Sequence, residues 1–156
     1  DFDVHHGNGT QDIFKADPTV FYASSHQMPL FPGTGKASET GVGNIANAPL
    51  DPETGGEAMR EAYAARIIPA LIDFAPDLIL ISAGFDAHER DPLAQLNWQS
   101  SDYGWLTGKL MDAAAQCCGN RIVSLLEGGY DLKGLAGGVS HHVAMLMDGA
   151  TGRLED

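Results

Sequence analysis

The sequence predicts an α/β chain of three layers, αβα, built on a parallel sheet. Three observations predict it. Short, continuous apolar runs at Val20 to Ala23, Leu78 to Ser82 and Ile122 to Leu126 have the length of strands covered on both faces. Segments of helical periodicity lie between them, and that alternation builds βαβ units. Hydrophobic residues are 44% of the 156 and charged residues 19%, which is enough apolar material for a real core.

The elements follow in order. Asp1 to Val4 reads as the end of a further strand, and Gln11 to Ala16 as a short helix behind a Thr10 cap. Phe31 to Pro49 is a long stretch containing Gly and Asn, and loops of that length are functional or mobile. Thr54 and Glu57 have capping-box spacing. They open a helix from Glu57 to Phe74 with Met59, Ala62, Ile67, Leu71 and Ile72 at helical spacing. Pro69 kinks this helix or ends it early. The next helix runs from Asp102 to Cys118 and is stopped by Gly119. The last runs from Leu135 to Asp148, with Val139, Val143, Leu146 and Met147 on one face and Gly149 after it. No repeat, low-complexity segment or second domain interrupts this order.

Charge and cysteine usage narrow the function classes. The net charge of −12 disfavours nucleic acid, which needs basic contacts to phosphate. It suits a cationic partner such as a lysine-rich tail or a polyamine. Cys117 and Cys118 are adjacent, with neither metal-finger spacing nor a disulfide partner, which points to a reducing compartment, the cytoplasm. No apolar run reaches the roughly 18 residues of a membrane span. A homo-oligomer is compatible with everything in the sequence.

Ligands of open parallel sheets bind beyond the carboxyl ends of the strands, and the polar clusters sit there. Asp1, Asp3 and His5 end the first strand; Ser24, Ser25 and His26 follow the second; Asp86 follows the third; Glu127 to Asp131 follow the fourth. On an extended segment, residues two apart share a face, so Asp1, Asp3 and His5 point together. Two carboxylates and an imidazole so packed repel or need a cation; the alternative is that they cap the following helix. Asp86, in Ser-Ala-Gly-Phe-Asp-Ala-His, leaves its strand through a glycine turn. Asp3, His5 and Asp86 with a water would make an open zinc site of the catalytic kind. Asp91-Pro92 reads as a turn. In Leu-Glu-Gly-Gly-Tyr, Gly128 and Gly129 let the backbone approach a ligand, and the Tyr130 hydroxyl is a donor for a developing oxyanion.

These elements together resemble the histone deacetylase superfamily, which includes bacterial acetylpolyamine amidohydrolases and acetoin-utilisation proteins. Asp-Phe-Asp-Val-His-His-Gly-Asn-Gly-Thr, Ser-Ala-Gly-Phe-Asp-Ala-His and Leu-Glu-Gly-Gly-Tyr look like its class II branch, and the cluster looks bacterial. The resemblance runs from Asp1 to about Met147. It implies an arginase-like fold in which residues 1–156 form the C-terminal part of a single catalytic domain. It implies a zinc-dependent deacetylase acting on acetyl-lysine or acetylpolyamine. Zinc would be held by Asp3, His5 and Asp86, and Tyr130 would stabilise the oxyanion.

The resemblance also implies that Phe31, in Leu-Phe-Pro-Gly-Thr-Gly, lines a narrow channel with Leu93 nearby, and that Gly128 and Gly129 lie beside the substrate. Potassium is implied near the zinc through Asp1, Asp3 and His5 with Ser24 and Ser25. A second potassium is implied at the backbone around Phe14, Asp17 and Val20. Asp1 and Asn8 match positions that orient two general acid–base histidines, which the family places upstream of this segment. His6, His26, His88, His141 and His142 do not match them. His6 is expected to support the ligands, and His141 and His142 to be structural. Two other readings compete: an acyl-lysine-binding scaffold without activity, and a two-metal, arginase-like ureohydrolase that shares the fold. The order Asp-x-Asp-x-His and the Gly-Gly-Tyr element favour the deacetylase.

Overall fold

The computed structural model describes residues 1–148. Its elements are α1 (Asn8–Phe14), β1 (Tyr22–Gln27), β2 (Ile45–Leu50), α2 (Gly56–Ala62), a π-helical stretch (Tyr63–Ile67), α3 (Ile68–Phe74), β3 (Ile79–Ala83), α4 (Ser100–Cys117), β4 (Ile122–Leu126) and α5 (Leu132–Asp148). Gly149, expected to follow α5, lies outside the described residues.

Two parallel pairs make the sheet. β1 pairs with β2 from Tyr22 opposite Ile45 to Gln27 opposite Leu50. β3 pairs with β4 from Ile79 opposite Ile122 to Ala83 opposite Leu126. Asp1 to Val4 joins the two pairs as the expected strand end. Ser25 N–H donates to Asp1 O at 3.1 Å and Gln27 N–H to Val4 O at 2.9 Å, while Phe2 N–H donates to Ser82 O at 3.0 Å. The chain is therefore α/β with parallel strands, as expected.

The core gathers around Phe2, which is buried between the rings of Phe85, Tyr103 and His142 at centroid distances of 6.0, 6.1 and 5.9 Å. Trp98, Met59, Ile81 and Leu106 complete it. Ile79, Ile81 and Ala83 of β3 are buried, but Leu80 on the alternate face is 62% exposed and Leu125 of β4 is 52% exposed. Among the described residues this pair of strands is thus covered on one face, not both as the apolar runs suggested.

Several local expectations need correction. β1 starts at Tyr22, two residues beyond Val20, and continues through the polar run to Gln27. β2, Ile45–Leu50, begins inside the stretch expected to be loop and ends one residue past it. α1 begins at Asn8 with Gly7 at its N-cap and no side-chain cap, so Thr10 sits inside the helix. The Thr54 hydroxyl donates to Asp51 O instead of capping α2, and Gly55 takes the N-cap position. A capping box does form on α4, between Gln99 and Asp102.

Pro69 neither breaks nor ends its helix. It falls in the first turn of α3 directly after the π-helical stretch. A proline ring clashes with the carbonyl four residues back in a regular α-helix, and the wider π turn carries the chain past it. On α5 the inward face is Gly134, Gly138 and His142, whereas Val143 and Met147 are exposed. A Cβ at Gly138 would stand 2.6 Å from Phe85 Cδ1, so close packing on the core uses glycine there where the hydrophobic pattern suggested large side chains.

Candidate metal centre

Strand geometry brings three ligand groups to one point. Asp3 and His5 leave the Asp1–Val4 segment, and Asp86 stands just beyond β3. Nδ1 of His5 lies 3.0 Å from Asp3 Oδ1 and 3.2 Å from Asp86 Oδ2, and one ligand atom from each residue fits within 4.8 Å of the others. They do not cap α1, whose N-cap is Gly7.

Asp86 is fully buried. Its Oδ1 accepts from Val4 N–H at 2.8 Å, but its Oδ2 is buried without a hydrogen bond. Burial first, and then the charge of Asp3, pushes its carboxyl up from 3.8 to about 7. A buried, orphaned oxygen facing a second carboxylate and an imidazole is the environment a divalent cation relieves. Two carboxylate oxygens and one imidazole nitrogen are also hard-to-borderline donors that suit zinc. The residues present therefore fit the ion that the resemblance implies.

Glycines set the approach of the neighbouring chain. Gly128 N–H donates to Asp3 Oδ2 at 2.9 Å, and Phe85 N–H donates to Gly128 O at 2.8 Å. A Cβ at Gly128 would fall on Asp86 Oδ2 and stand 2.6 Å from Asp3 Oδ2. Gly128→Ala is therefore expected to displace the Asp86 and Asp3 carboxylates and to weaken any zinc binding at this cluster. Elemental analysis checks this, and zinc retained at the unaltered level would refute the close approach.

Tyr130 is held from the other side. Its N–H donates to Asp91 Oδ2 at 2.7 Å, and the other oxygen of Asp91 accepts from Leu93 N–H at 3.0 Å. Asp91, read from the sequence as a turn residue, is buried and couples the Tyr130 loop to the Leu93 loop. The Tyr130 side chain is 56% exposed, and Phe31 and Leu93 are also exposed. Gln27 and Gln95 link the segments that carry Phe31 and Leu93: Gln95 N–H donates to Gln27 Oε1 at 2.7 Å. Neither Gln27 nor Gln95 carries a motif signal, and only the pairing of distant loops reveals them.

The residues expected at potassium already have partners. Asp1 Oδ1 accepts from Asp3 N–H at 3.1 Å and Oδ2 from the Tyr22 hydroxyl at 2.9 Å. The Ser24 hydroxyl meets His26 Nδ1 at 2.9 Å, and that of Ser25 meets the Tyr63 hydroxyl at 3.0 Å. Asn8, exposed, opens α1 with its N–H on His6 O at 2.8 Å. His6 turns away from the ligands: its Nδ1 meets Thr34 Oγ1 at 2.8 Å and its Nε2 meets Gln11 Oε1 at 2.9 Å. It holds the loop after Phe31, which corrects its expected support of the ligands. His142 is structural, between Thr107 and Ser124 at 2.6 and 2.9 Å.

His26 fastens the same loop, with Nε2 2.9 Å from Gly35 O. Burial, and then the charge of His6, pushes it from 6.5 down to about 4. A histidine lowered on folding binds protons more tightly in the unfolded chain. Its contribution is therefore complete above about pH 6.5 and is lost as pH falls toward 4. The loss is on the order of 3 kcal/mol across that window. Denaturation midpoints should fall between pH 7 and 4.5, and His26→Asn should reduce that fall; an unchanged slope would exclude His26 as its source.

The sequence profile described as "Histone deacetylase domain" matches residues 1–146. The chain is 47% identical over 144 residues to "Histone deacetylase 10, chloroplastic" of Oryza sativa subsp. japonica, covering 90% of this chain and 32% of that protein. It is 41% identical over 138 residues to a "Probable deacetylase" of Archaeoglobus fulgidus, covering 86% of this chain and 38% of that protein. Among solved structures it is similar to the HDA15 HD domain, with a TM-score of 0.88, 35% identity, and 98% and 44% of the two chains covered. It is also similar to the histone deacetylase Clr3, with a TM-score of 0.88, 32% identity, and 99% and 27% covered. The chain spans about a third of the length of the two chloroplastic plant relatives it matches and less than half of the others.

Proposed function

The chain belongs to the histone deacetylase family, and we propose that it is the C-terminal part of the catalytic domain of a zinc-dependent enzyme that hydrolyses linear acyl amides. Acetyl-lysine in a protein and acetylated polyamines are the proposed substrates. The observation that carries this reading is the convergence of His5 Nδ1 with Asp3 Oδ1 and Asp86 Oδ2 at 3.0 and 3.2 Å. Directly beside it runs the Gly128 backbone, which leads to Tyr130.

Asp3, His5 and Asp86 would hold the ion. Zinc so held supplies Lewis-acid polarisation of a carbonyl and lowers the pKa of water. The chain's own residues do the rest. The Gly128 and Gly129 backbone, packed close against the ligand carboxylates, would lie beside the acyl group. The Tyr130 hydroxyl, held above its ordinary pKa by burial and by the carboxylates of Asp86, Asp3 and Asp91, stays a proton donor at neutral pH and stabilises the oxygen on which charge develops. Phe31 and Leu93 flank the entrance and suit the methylene stem of a lysine or polyamine. The net charge of −12 favours the approach of such cations. Asp1 and Asn8 would orient the two proton-moving histidines that the family places upstream, and Asp1, Ser24 and Ser25 would hold a potassium ion that steadies the ligand segment.

Acetate release from an acetyl-lysine peptide and from acetylated spermidine, by the full-length natural protein carrying this sequence, tests the reading. Turnover that a chelator abolishes and zinc restores is expected; turnover indifferent to the chelator would overturn it. The cytoplasmic placement rests on the free cysteines Cys117 and Cys118. Two plant relatives are described as chloroplastic. Plant and archaeal relatives match as well, so the motifs do not single out a bacterial source.

A further inference from the structure

Between α1 and β1 the backbone forms a cradle of oxygens. The carbonyls of Phe14, Asp17 and Val20 converge on one point, and the side-chain nitrogen of Asn44 occupies it, at 2.8, 2.9 and 2.8 Å. Phe14 O and Asp17 O each also accept a turn N–H, from Asp17 at 2.9 Å and Val20 at 3.2 Å. The amide thus meets the remaining acceptor capacity of the turn. Asn44 is only 4% exposed. Its Oδ1 accepts from Val42 N–H at 3.2 Å, and its backbone is fixed because Asn44 O accepts from Tyr22 N–H at 3.0 Å. Gly41, at φ +59°, lets the loop close over it: a Cβ there would stand 2.6 Å from both Asn44 Oδ1 and Lys15 O.

An amide nitrogen carries two hydrogens, yet three carbonyls point at this one. Three carbonyl oxygens directed at one buried point are the arrangement that ligates a monovalent cation. These are the carbonyls at which the family resemblance implies a second potassium ion. That ion does not fit here, because a neutral, buried amide already fills the position.

We propose that Asn44 replaces the cation at this turn: its side-chain amide performs the ion's structural work, and the α1–β1 turn holds no potassium. The order of this turn is then independent of potassium concentration, whatever ion the ligand segment near Asp1 takes. The proposal does not depend on the reaction proposed above.

Crystals of the full-length natural protein soaked in rubidium chloride test it, because rubidium stands in for potassium and scatters anomalously. The expected map shows no anomalous peak at the Phe14, Asp17 and Val20 carbonyls, with the Asn44 amide in place. A rubidium peak there in the unaltered protein overturns the proposal. Asn44→Ala is the converse test. It should gain one rubidium at the turn, and its melting temperature should rise with potassium, relative to choline, on the order of 3 °C more than the unaltered protein's. A variant that folds and gains no ion shows that the carbonyls are not a cation cradle and also overturns the proposal. If Asn44→Ala does not fold, the map of the unaltered protein decides alone.

Discussion

Asp86→Ala, in the full-length natural protein, is expected to reduce zinc from about one ion per chain to near zero after dialysis. Of the three proposed ligand residues Asp86 is the one fully buried, and its Oδ2 has no hydrogen bond of its own to compete with a metal. What remains is a weaker pair. Asp3 already accepts from Gly128 N–H through Oδ2 and from His5 N–H through Oδ1. Loss of a group that merely orients a ligand costs about 10–100-fold in affinity, so loss of a ligand should exceed that. The substitution also orphans Val4 N–H, which donates to Asp86 Oδ1, at about 1–3 kcal/mol. Asp86→Asn separates the two effects: its amide oxygen can keep Val4 while the charge is gone. Zinc lost in both variants, with Asp86→Asn melting near the unaltered protein, assigns the loss to ligation. Undiminished zinc in Asp86→Ala would refute the ligand assignment.

The clustering of Asp3, His5 and Asp86 was legible in the sequence because its chemistry is dense and local. Asp3 and His5 are two residues apart, and Asp86 follows Leu78 to Ser82, an apolar run of strand length. β3 and β4 were legible for the same reason: Leu78 to Ser82 and Ile122 to Leu126 sit within one residue of Ile79–Ala83 and Ile122–Leu126. β2 was hidden because Asn47 and Pro49 interrupt its pattern. Asn47 is nevertheless buried, since its amide donates to Gln11 Oε1 at 2.7 Å, far away in sequence. The second half of β1 was hidden likewise. Ser24, Ser25, His26 and Gln27 are all buried, satisfied by one another and by Tyr63, Gly35 and Gln95. A buried polar residue looks like a loop residue until its partner is known.

The same limit explains Asp91 and Asn44. Asp-Pro reads as a turn, and Asp91 does make one, with its N–H on His88 O at 2.8 Å. Its carboxylate nevertheless reaches forward 39 residues to Tyr130 N–H, and no local pattern encodes that reach. Asn44 sits in a Gly-Val-Gly-Asn stretch where asparagine is unremarkable. Only the folded turn shows that its amide faces three carbonyls. Local periodicity reports which face of an element is apolar, whereas the hydrogen-bond partner of a buried polar group is a property of the whole chain.

Tyr130→Phe is expected to keep zinc and lose turnover by about 10²- to 10³-fold, the cost of one oxyanion donor. The backbone that carries the phenol is pinned at both ends. Gly128 is tied to Asp3 and Phe85, and Tyr130 N–H is tied to Asp91, with Gly129 at φ +142°, a conformation suited to glycine, between them. The ring should therefore stay in place when the hydroxyl is removed. None of the three ligand atoms belongs to Tyr130, so the metal should be unaffected. A bond that strengthens only as charge develops on the substrate oxygen lowers kcat when it is lost and leaves KM nearly unchanged. The combination of full zinc, an unchanged melting temperature, unchanged KM and reduced kcat would place the hydroxyl in the chemical step. Normal turnover in Tyr130→Phe would exclude the oxyanion role and leave the Gly-Gly-Tyr loop as the wall of the ligand cluster alone.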